Sequence, residues 1–469
     1  MDGFMIGRQK ERSDLLKARD SEYSEFVAVY GRRRVGKTFL IRETFDYRFT
    51  FQHSGVKLGG ATVQLARFRK SLQTQGYAEC PELKDWFAAF DALRIVVERS
   101  VEGKKVIFLD EMPWLGRKNP DFVTAVEDFW NGWASARKDI LFIVCGSATS
   151  WILSKIVHNR DGLHNRVTYR IPLRPFTLRE CELYADSKGL ELTRAQIAEY
   201  YMIFGGIPYY WHFLERGLSV AQNVDNIFFA GEDKLENEFD ELYSSLFTAP
   251  RPYLKVITAL GKVKSGMTRD EIAKAASLAN NGALTKRLRE LEQCGFVRKF
   301  VEIGKKNRGS LYQLIDNYTL FHFRFASENR YGNRHFWSEM LDSHIHSTWI
   351  GLAFERLCLL HADQIKEALR IGGIHANIHS WHNAHAQIDL LIDRNDGIVN
   401  LCEMKYHEGP YTIEKDVDEA IRNKKSEFKD ETGTRKAVHV VFVTPYGVKT
   451  NAYSKNVQAF VQLDDLFCF

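Results

Sequence analysis

Nowhere does the chain hold an uninterrupted apolar run approaching the roughly 18 residues that a membrane-spanning helix needs. Its opening, MDGFMIGRQKERSD, lacks the sustained apolar stretch of a secretory signal. Both absences point to a cytoplasmic protein and away from a membrane partner. Cysteine is scarce: the seven, at 80, 145, 181, 294, 358, 402 and 468, include no C-x-x-C pair. Neither a zinc knuckle nor a disulfide framework is suggested, and reduced thiols, several of them in cores, are expected. Strong net charge is missing as well, at +5 over 469 residues. Long disorder is disfavoured, because 45% of the residues are hydrophobic and 13% aromatic, enough to build ordinary cores.

A chain of 469 residues exceeds what one core serves, since single cores stop growing at roughly 250 to 300 residues. The small net charge also hides an uneven distribution. Residues 251–310 carry 14 Lys and Arg against 5 Asp and Glu, which leaves the rest of the chain at −4. A basic module in a near-neutral protein makes polyanions its natural partners.

SEFVAVYGRRRVGKTFLIRETF reads as a short strand (Phe26 to Tyr30), a tight loop, and a helix with Phe39, Leu40 and Ile41 as apolar positions. The loop Gly31-Arg32-Arg33-Arg34-Val35-Gly36-Lys37-Thr38 fits G-x-x-x-x-G-K-[ST]. Glycines let the backbone curl its N–H groups around phosphate oxygens at the positive end of a helix. Lys37 would then neutralise the β and γ phosphates of ATP, and the Thr38 hydroxyl would ligate Mg²⁺. In KKVIFLDEMPWL a buried strand (Val106 to Leu109) ends in Asp110 and Glu111. Asp110 would hold Mg²⁺ through its hydration shell, and Glu111 would polarise the attacking water. A further strand, DILFIVCGS, brings Ser147 to the same edge of a parallel sheet. Ser147 is either a γ-phosphate or water sensor or an ordinary strand-end serine.

With the opening MIGRQKERSDL, an Asn165-Arg166 pair before IPLRPF, and FGGIPYY further on, these segments resemble the AAA-like ATPases of archaea and bacteria that carry a C-terminal nuclease-like domain. The resemblance spans nearly the whole chain. It implies that Ile6, Gly7 and Arg8 border the adenine, and that Arg166 serves the site of a neighbouring subunit in a homo-oligomer. One arginine before a strand can equally be a solvated charge or a simple ion pair.

After a helical stretch of roughly 175 to 245, broken by FGGIP, a basic segment begins. Thr268 and Glu271 form a capping box, Asn280 is a candidate cap for TKRLRELEQ, and that helix stops at Gly295. Leu284, Leu288 and Leu291 recur at core spacing, which exposes Lys286, Arg287 and Arg289. Phe296 to Ile303 and Ser310 to Ile315 alternate as a hairpin with its tip at residues 304–309. Three helices and a two-stranded wing make a winged helix, suited to a nucleic-acid duplex, DNA above all, or to a protein. The aromatic run Tyr318, Phe321, Phe323 and Phe325 reads as a packing linker.

Residues 387–405 alternate on either side of the turn Asn395-Asp396-Gly397. Asp389 lies on the first strand, and Glu403 and Lys405, two apart on the second, share a face. This D-x(n)-E-x-K pattern is similar to that of the restriction-endonuclease-like, PD-(D/E)XK, superfamily. Its chemistry uses two carboxylates, here Asp389 and Glu403, to hold Mg²⁺ while the lysine orients the nucleophile. Glu355 in GLAFERL matches the superfamily's additional acidic residue. Gln387 stands where related domains often have an acidic residue, and the usual Pro-Asp is absent. His375, His379, His382 and His385 lie in a strand-like or loop context without cysteine or acidic partners, which reads as a polar edge rather than a zinc site.

The expected architecture is α/β: an AAA-like P-loop parallel sheet (1–175), a helical lid (176–248), a winged helix with the aromatic linker (249–330), and an α/β restriction-endonuclease-like domain (331–469). The expected activity is an ATPase coupled to DNA binding and metal-dependent cleavage. The alternative is a nucleotide-dependent switch or scaffold whose nuclease-like domain does not cut.

Overall fold

The structure, a computed structural model, describes residues 5–468 except 58, 102, 118, 159–161, 231–234, 236–237, 248, 302, 304–308 and 330–331. It is α/β and divides into two compact units. One runs to Pro175 and takes in Glu241–Pro250; the other comprises Phe176–Asp240 and the chain from Arg251 onward. The stretch anticipated as a lid is thus shared between the two.

The first unit is built on five parallel strands, β1 (Glu25–Tyr30), β2 (Phe51–Ser54), β3 (Lys105–Asp110), β4 (Ile140–Gly146) and β5 (Tyr169–Pro172), in the order β2-β3-β4-β1-β5. The interior positions of β1, β3 and β4 are apolar on both faces and fully buried, as expected where helices cover both sides of a parallel sheet. Phe26, Trp130 and Phe142 pack with ring centroids 4.9–6.3 Å apart across one face. Burying each such ring contributes about 1.5–3 kcal/mol. All five carboxyl ends point one way, with Ser54 paired to Asp110 and Tyr30 to Gly146 at the shared edge.

In the second unit, Leu178–Ser187, Arg194–Phe204 and Val220–Phe228 are helices, each opened by a Thr or Ser capping box. The break at FGGIP has a steric cause: a Cβ on Gly206 would stand 1.9 Å from the Phe176 carbonyl oxygen, so the backbones touch. The basic segment folds as helices Arg251–Gly261, Arg269–Ala275 and Gly282–Gln293 against an antiparallel sheet in the order β6 (Met267–Thr268), β8 (Leu311–Leu314), β7 (Val297–Phe300). Leu284, Leu288 and Leu291 are buried. The cap of the third helix is Asn281 rather than Asn280: the Asn281 side chain accepts from the amides of Ala283 and Leu284, while Asn280 donates to Asp270. Arg287 is half-buried, where full exposure was expected. Of the anticipated hairpin tip at 304–309, residues 304–308 lie outside the described residues. The aromatic run is a helix, Asn317–Arg324, whose Phe321 meets Trp337 and Trp349 edge-on.

A mixed sheet closes the chain, in the order β13 (Ala459–Gln462), β12 (Ala437–Thr444), β11 (Ile398–Met404), β10 (Gln387–Arg394), β9 (Ala376–His382). β9, β10 and β11 are antiparallel, and β11, β12 and β13 parallel. His379 and His382 lie on β9, with His379 bonded to the Val301 carbonyl.

Candidate functional site

Close backbone packing shapes the glycine loop. A Cβ on Gly31 would come within 2.2 Å of the Leu173 carbonyl oxygen, so only glycine passes beside β5 there. Arg34 and Gly36 are left-handed (φ 69° and 91°), and the helix Lys37–Thr44 starts directly after. Lys37 is buried, and its ammonium donates to the Gly31 and Arg32 carbonyls at 3.0 and 2.8 Å, which places the positive charge inside the loop. Arg32 and Val35 are buried in the same turn. Arg33 and Arg34 instead engage Glu241, at 2.9 and 3.6 Å, in the segment that joins this unit from later in the chain. Arg117 fastens that segment further by donating 2.6 Å to the Leu246 carbonyl. Gly7 and Arg8 are both left-handed, and the buried Arg8 donates 2.7 Å to the Arg174 carbonyl, one residue from the carbonyl that crowds Gly31. Arg166 is exposed in the stretch before β5.

Thr38 reaches across to the end of β3, where its hydroxyl donates to the Asp110 carboxylate at 3.0–3.1 Å. Two residues that sequence reasoning passed over share that carboxylate: the Ser54 hydroxyl at 3.4 Å and the Cys145 thiol at 2.9 Å. Ser54 is legible only through the pairing of β2 with β3, and Cys145 only as the residue before the Gly-Ser strand end. Burial, and after it the charge of Asp110, push the Cys145 thiol up, so it stays a protonated donor and not a soft ligand. Hydroxyl and carboxylate oxygens are what remain, a donor set that fits Mg²⁺. Glu111 is held in the left-handed region (φ 45°), a strained setting for a non-glycine residue, and its carboxylate accepts from the Ser147 hydroxyl at 3.0 Å and amide at 3.3 Å.

The second cluster lies wholly in the other unit. Glu355 stands on the helix His344–Leu360, Asp389 on β10, and Glu403 at the end of β11. Lys264 joins the first two, at 2.7 Å from Glu355 and 3.8 Å from Asp389. Gln387, adjacent in alternation, donates 2.6 Å to Asp389. Burial, and then the nearby Asp389 charge, raise the Glu355 carboxyl above its ordinary value. Glu403 is buried yet held below its ordinary value, because Lys424 at 2.7 Å and Lys405 at 3.0 Å outweigh the cost of desolvation. Asp389 and Glu403 therefore keep separate partners, and no group of three or more His, Cys, Asp and Glu is poised around one point among the described residues. The oxygen donors suit Mg²⁺ or Mn²⁺, which would have to displace lysine ammonium groups. Lys424, 21 positions beyond Glu403, comes from the helix Lys415–Thr432 and was not singled out in the sequence.

Residues 5–213 match the model of the family ATPase_2, an ATPase domain predominantly from Archaea. The chain thus carries an ATPase domain. It is 24% identical over 419 residues to an uncharacterized protein of Methanocaldococcus jannaschii, covering 86% of this chain and 88% of that one. Solved structures similar to it include a Walker-type ATPase of Pyrococcus abyssi, with a TM-score of 0.47 and 15% identity over 68% of this chain and 96% of that one. Another is the ORC2 protein of Aeropyrum pernix in ADPNP and ADP complexes, with a TM-score of 0.41 and 14% identity over 68% and 93% of the two chains. No helix among the described residues is long and apolar enough to cross a membrane.

Proposed function

We propose that the chain hydrolyses ATP to control its hold on a nucleic acid, DNA foremost, and that the cluster of Glu355, Asp389, Glu403 and Lys405 cleaves that nucleic acid with a divalent metal. The observation that carries the first half is the pair of contacts at neighbouring strand ends, Thr38 to Asp110 and Ser147 to Glu111. Thr38 and Asp110 would hold a magnesium ion, which supplies charge neutralisation at the β and γ phosphates. Lys37 and the loop amides bind those phosphates, and Gly7 and Arg8 would border the base. Glu111, oriented by Ser147, positions water and accepts its proton as oxygen bonds to the γ-phosphorus. The bond to the β–γ bridging oxygen breaks, and ADP and phosphate leave. Arg166, exposed before β5, is the residue we assign to a neighbouring copy's site in a homo-oligomer.

The three helices and antiparallel strands of 251–314 support a winged-helix reading, and Lys286 and Arg289, both exposed on the third helix, supply charge for a phosphate backbone. The mixed β9–β13 sheet with carboxylates on two adjacent strands and a lysine beyond supports the restriction-endonuclease-like reading. There Asp389 and Glu403 would hold a divalent metal, which would supply an activated water, and Lys405 would orient that water for attack on a phosphodiester.

A second reading, the nucleotide-dependent switch that does not cut, is favoured by one observation: the Glu403 carboxylate is already neutralised by two lysines. A nuclease assay separates them. The intact protein is offered linear, circular and single-stranded DNA and RNA with Mg²⁺ or Mn²⁺, with and without ATP, beside Lys405→Ala. Cutting that vanishes in the variant supports the enzyme; no cutting in any condition, with ATP still bound, supports the switch. Lys37→Ala should abolish ATP binding, and unchanged affinity would overturn the nucleotide assignment.

A further inference from the structure

Among the described residues Lys264 is ion-paired to both Glu355 and Asp389, while Lys405 acts on Glu355 and Arg298 on Asp389 from further off, and Lys264 does not come from the sheet that carries Asp389 or the helix that carries Glu355. It sits in the turn between the helix Arg251–Gly261 and β6, inside the segment with the excess of positive charge. The turn is fixed by its backbone: Gln313 on β8 donates 2.6 Å to the Lys264 carbonyl, and Arg298 on β7 is bonded to the other end of that Gln313 amide. The side chain is not fixed in the same way. It is 44% exposed and, together with Glu355 and Asp389, borders a cavity of about 590 Å³. Lys262, Arg324 and Arg356 border the same cavity, so phosphate oxygens would find several cations there.

Two carboxylates facing one site repel unless a cation lies between them. An ammonium at 2.7 and 3.8 Å meets that requirement with a single charge on a flexible stem. A divalent ion meets it with two charges and direct coordination, but cannot occupy the same space. We infer that Glu355 and Asp389 form a divalent-cation subsite that Lys264 closes, and that a phosphate backbone bound on the 251–314 segment opens it by drawing Lys264 away. The inference rests on the metal-dependent reading given above and adds its regulation: metal is taken up when nucleic acid is present. A part-exposed ion pair is weak enough to be exchanged in this way.

The test is Mn²⁺ binding to the full chain, followed by electron paramagnetic resonance without nucleotide. Lys264→Met should bind one Mn²⁺ about tenfold more tightly than wild type, the scale expected when a competing charge within about 4 Å of a carboxylate is removed. Adding Asp389→Asn to that variant should erase the gain, which separates this site from Thr38 and Asp110. Lys264→Arg, which keeps the charge, should behave as wild type and controls for folding. A short DNA duplex should tighten Mn²⁺ binding in wild type and leave Lys264→Met unchanged. Equal Mn²⁺ affinity in wild type and Lys264→Met would overturn the inference, as would a duplex effect of the same size in both. If Lys264→Met gains Mn²⁺ but cuts no nucleic acid, the closed subsite stands and the nuclease reading falls. If wild type cuts while Lys264→Met leaves Mn²⁺ affinity unchanged, the reverse holds.

Discussion

Ser147 donates both its hydroxyl, at 3.0 Å, and its amide, at 3.3 Å, to one oxygen of the Glu111 carboxylate. The two residues directly follow the neighbouring strands β3 and β4, and Glu111 has a left-handed backbone. Glu111→Gln should therefore retain nucleotide and lose turnover by about 10²- to 10⁴-fold, the range for removing a general base. Ser147→Ala keeps the carboxylate but loses its orientation and should fall between the two. Phosphate release set beside binding of a fluorescent ATP analogue checks both; a Glu111→Gln protein that turns over normally would remove Glu111 from the reaction.

Gly31→Ala should damage the fold and not merely the phosphate contacts, because the added methyl meets the Leu173 carbonyl oxygen at 2.2 Å, a backbone atom that cannot step aside cheaply. Thermal unfolding is expected to drop by several degrees, on the order of what about 1–3 kcal/mol of strain produces. Gly282→Ala, where a Cβ meets nothing within 4 Å, is the matched control.

Asn281→Ala should cost about 1 kcal/mol in denaturant unfolding, since its side chain accepts from two amides at the start of the helix Gly282–Gln293. Asn280→Ala, losing only an exposed bond to Asp270, should cost less.

Acid should weaken the protein as its buried histidines are forced to protonate. Burial pushes His53, His322 and His361 down to about 4, against an ordinary value near 6.5. A histidine whose folded value is lowered binds its proton more readily when unfolded. The stability it supports is complete above about pH 6.5 and declines as pH falls toward 4. For His361 the cause is visible: its Nε2 accepts the Leu178 amide at 3.2 Å while Nδ1 faces the Leu357 carbonyl, so a second proton would set two donors face to face. His361→Gln, which keeps an acceptor, should flatten the fall in melting temperature between pH 6.5 and 4; an unchanged slope would exclude His361 as its source.

Much of the first unit was readable because its signals are local. A strand, a curled loop and a helix occupy adjacent residues from Glu25 to Thr44, and β3 announces its acidic end within one run of apolar residues. The β10–β11 hairpin was readable for the same reason, since its turn and alternation lie within 20 residues. What stayed hidden depends on chain segments far apart in sequence. Lys264 meets Asp389 across 125 positions, and Cys145 meets Asp110 across 35. No periodicity encodes such meetings; they follow from tertiary packing alone. The choice between Asn280 and Asn281 was hidden for a smaller reason: the two are the same residue type, and one step of backbone decides which aims at the helix amides.

The tie from Arg33 and Arg34 to Glu241 has a consequence for how the protein is made. Because Glu241–Pro250 belongs to the first unit, that unit is discontinuous, and its last piece leaves the ribosome only after Phe176–Asp240 of the other unit has emerged. During synthesis the glycine loop must therefore wait for a partner more than 200 residues downstream, and the two units mature interleaved instead of one after the other. A fragment ending at residue 213, where the ATPase match stops, would be born without its strap; one that keeps residues 241–250 joined by a short bridge would not.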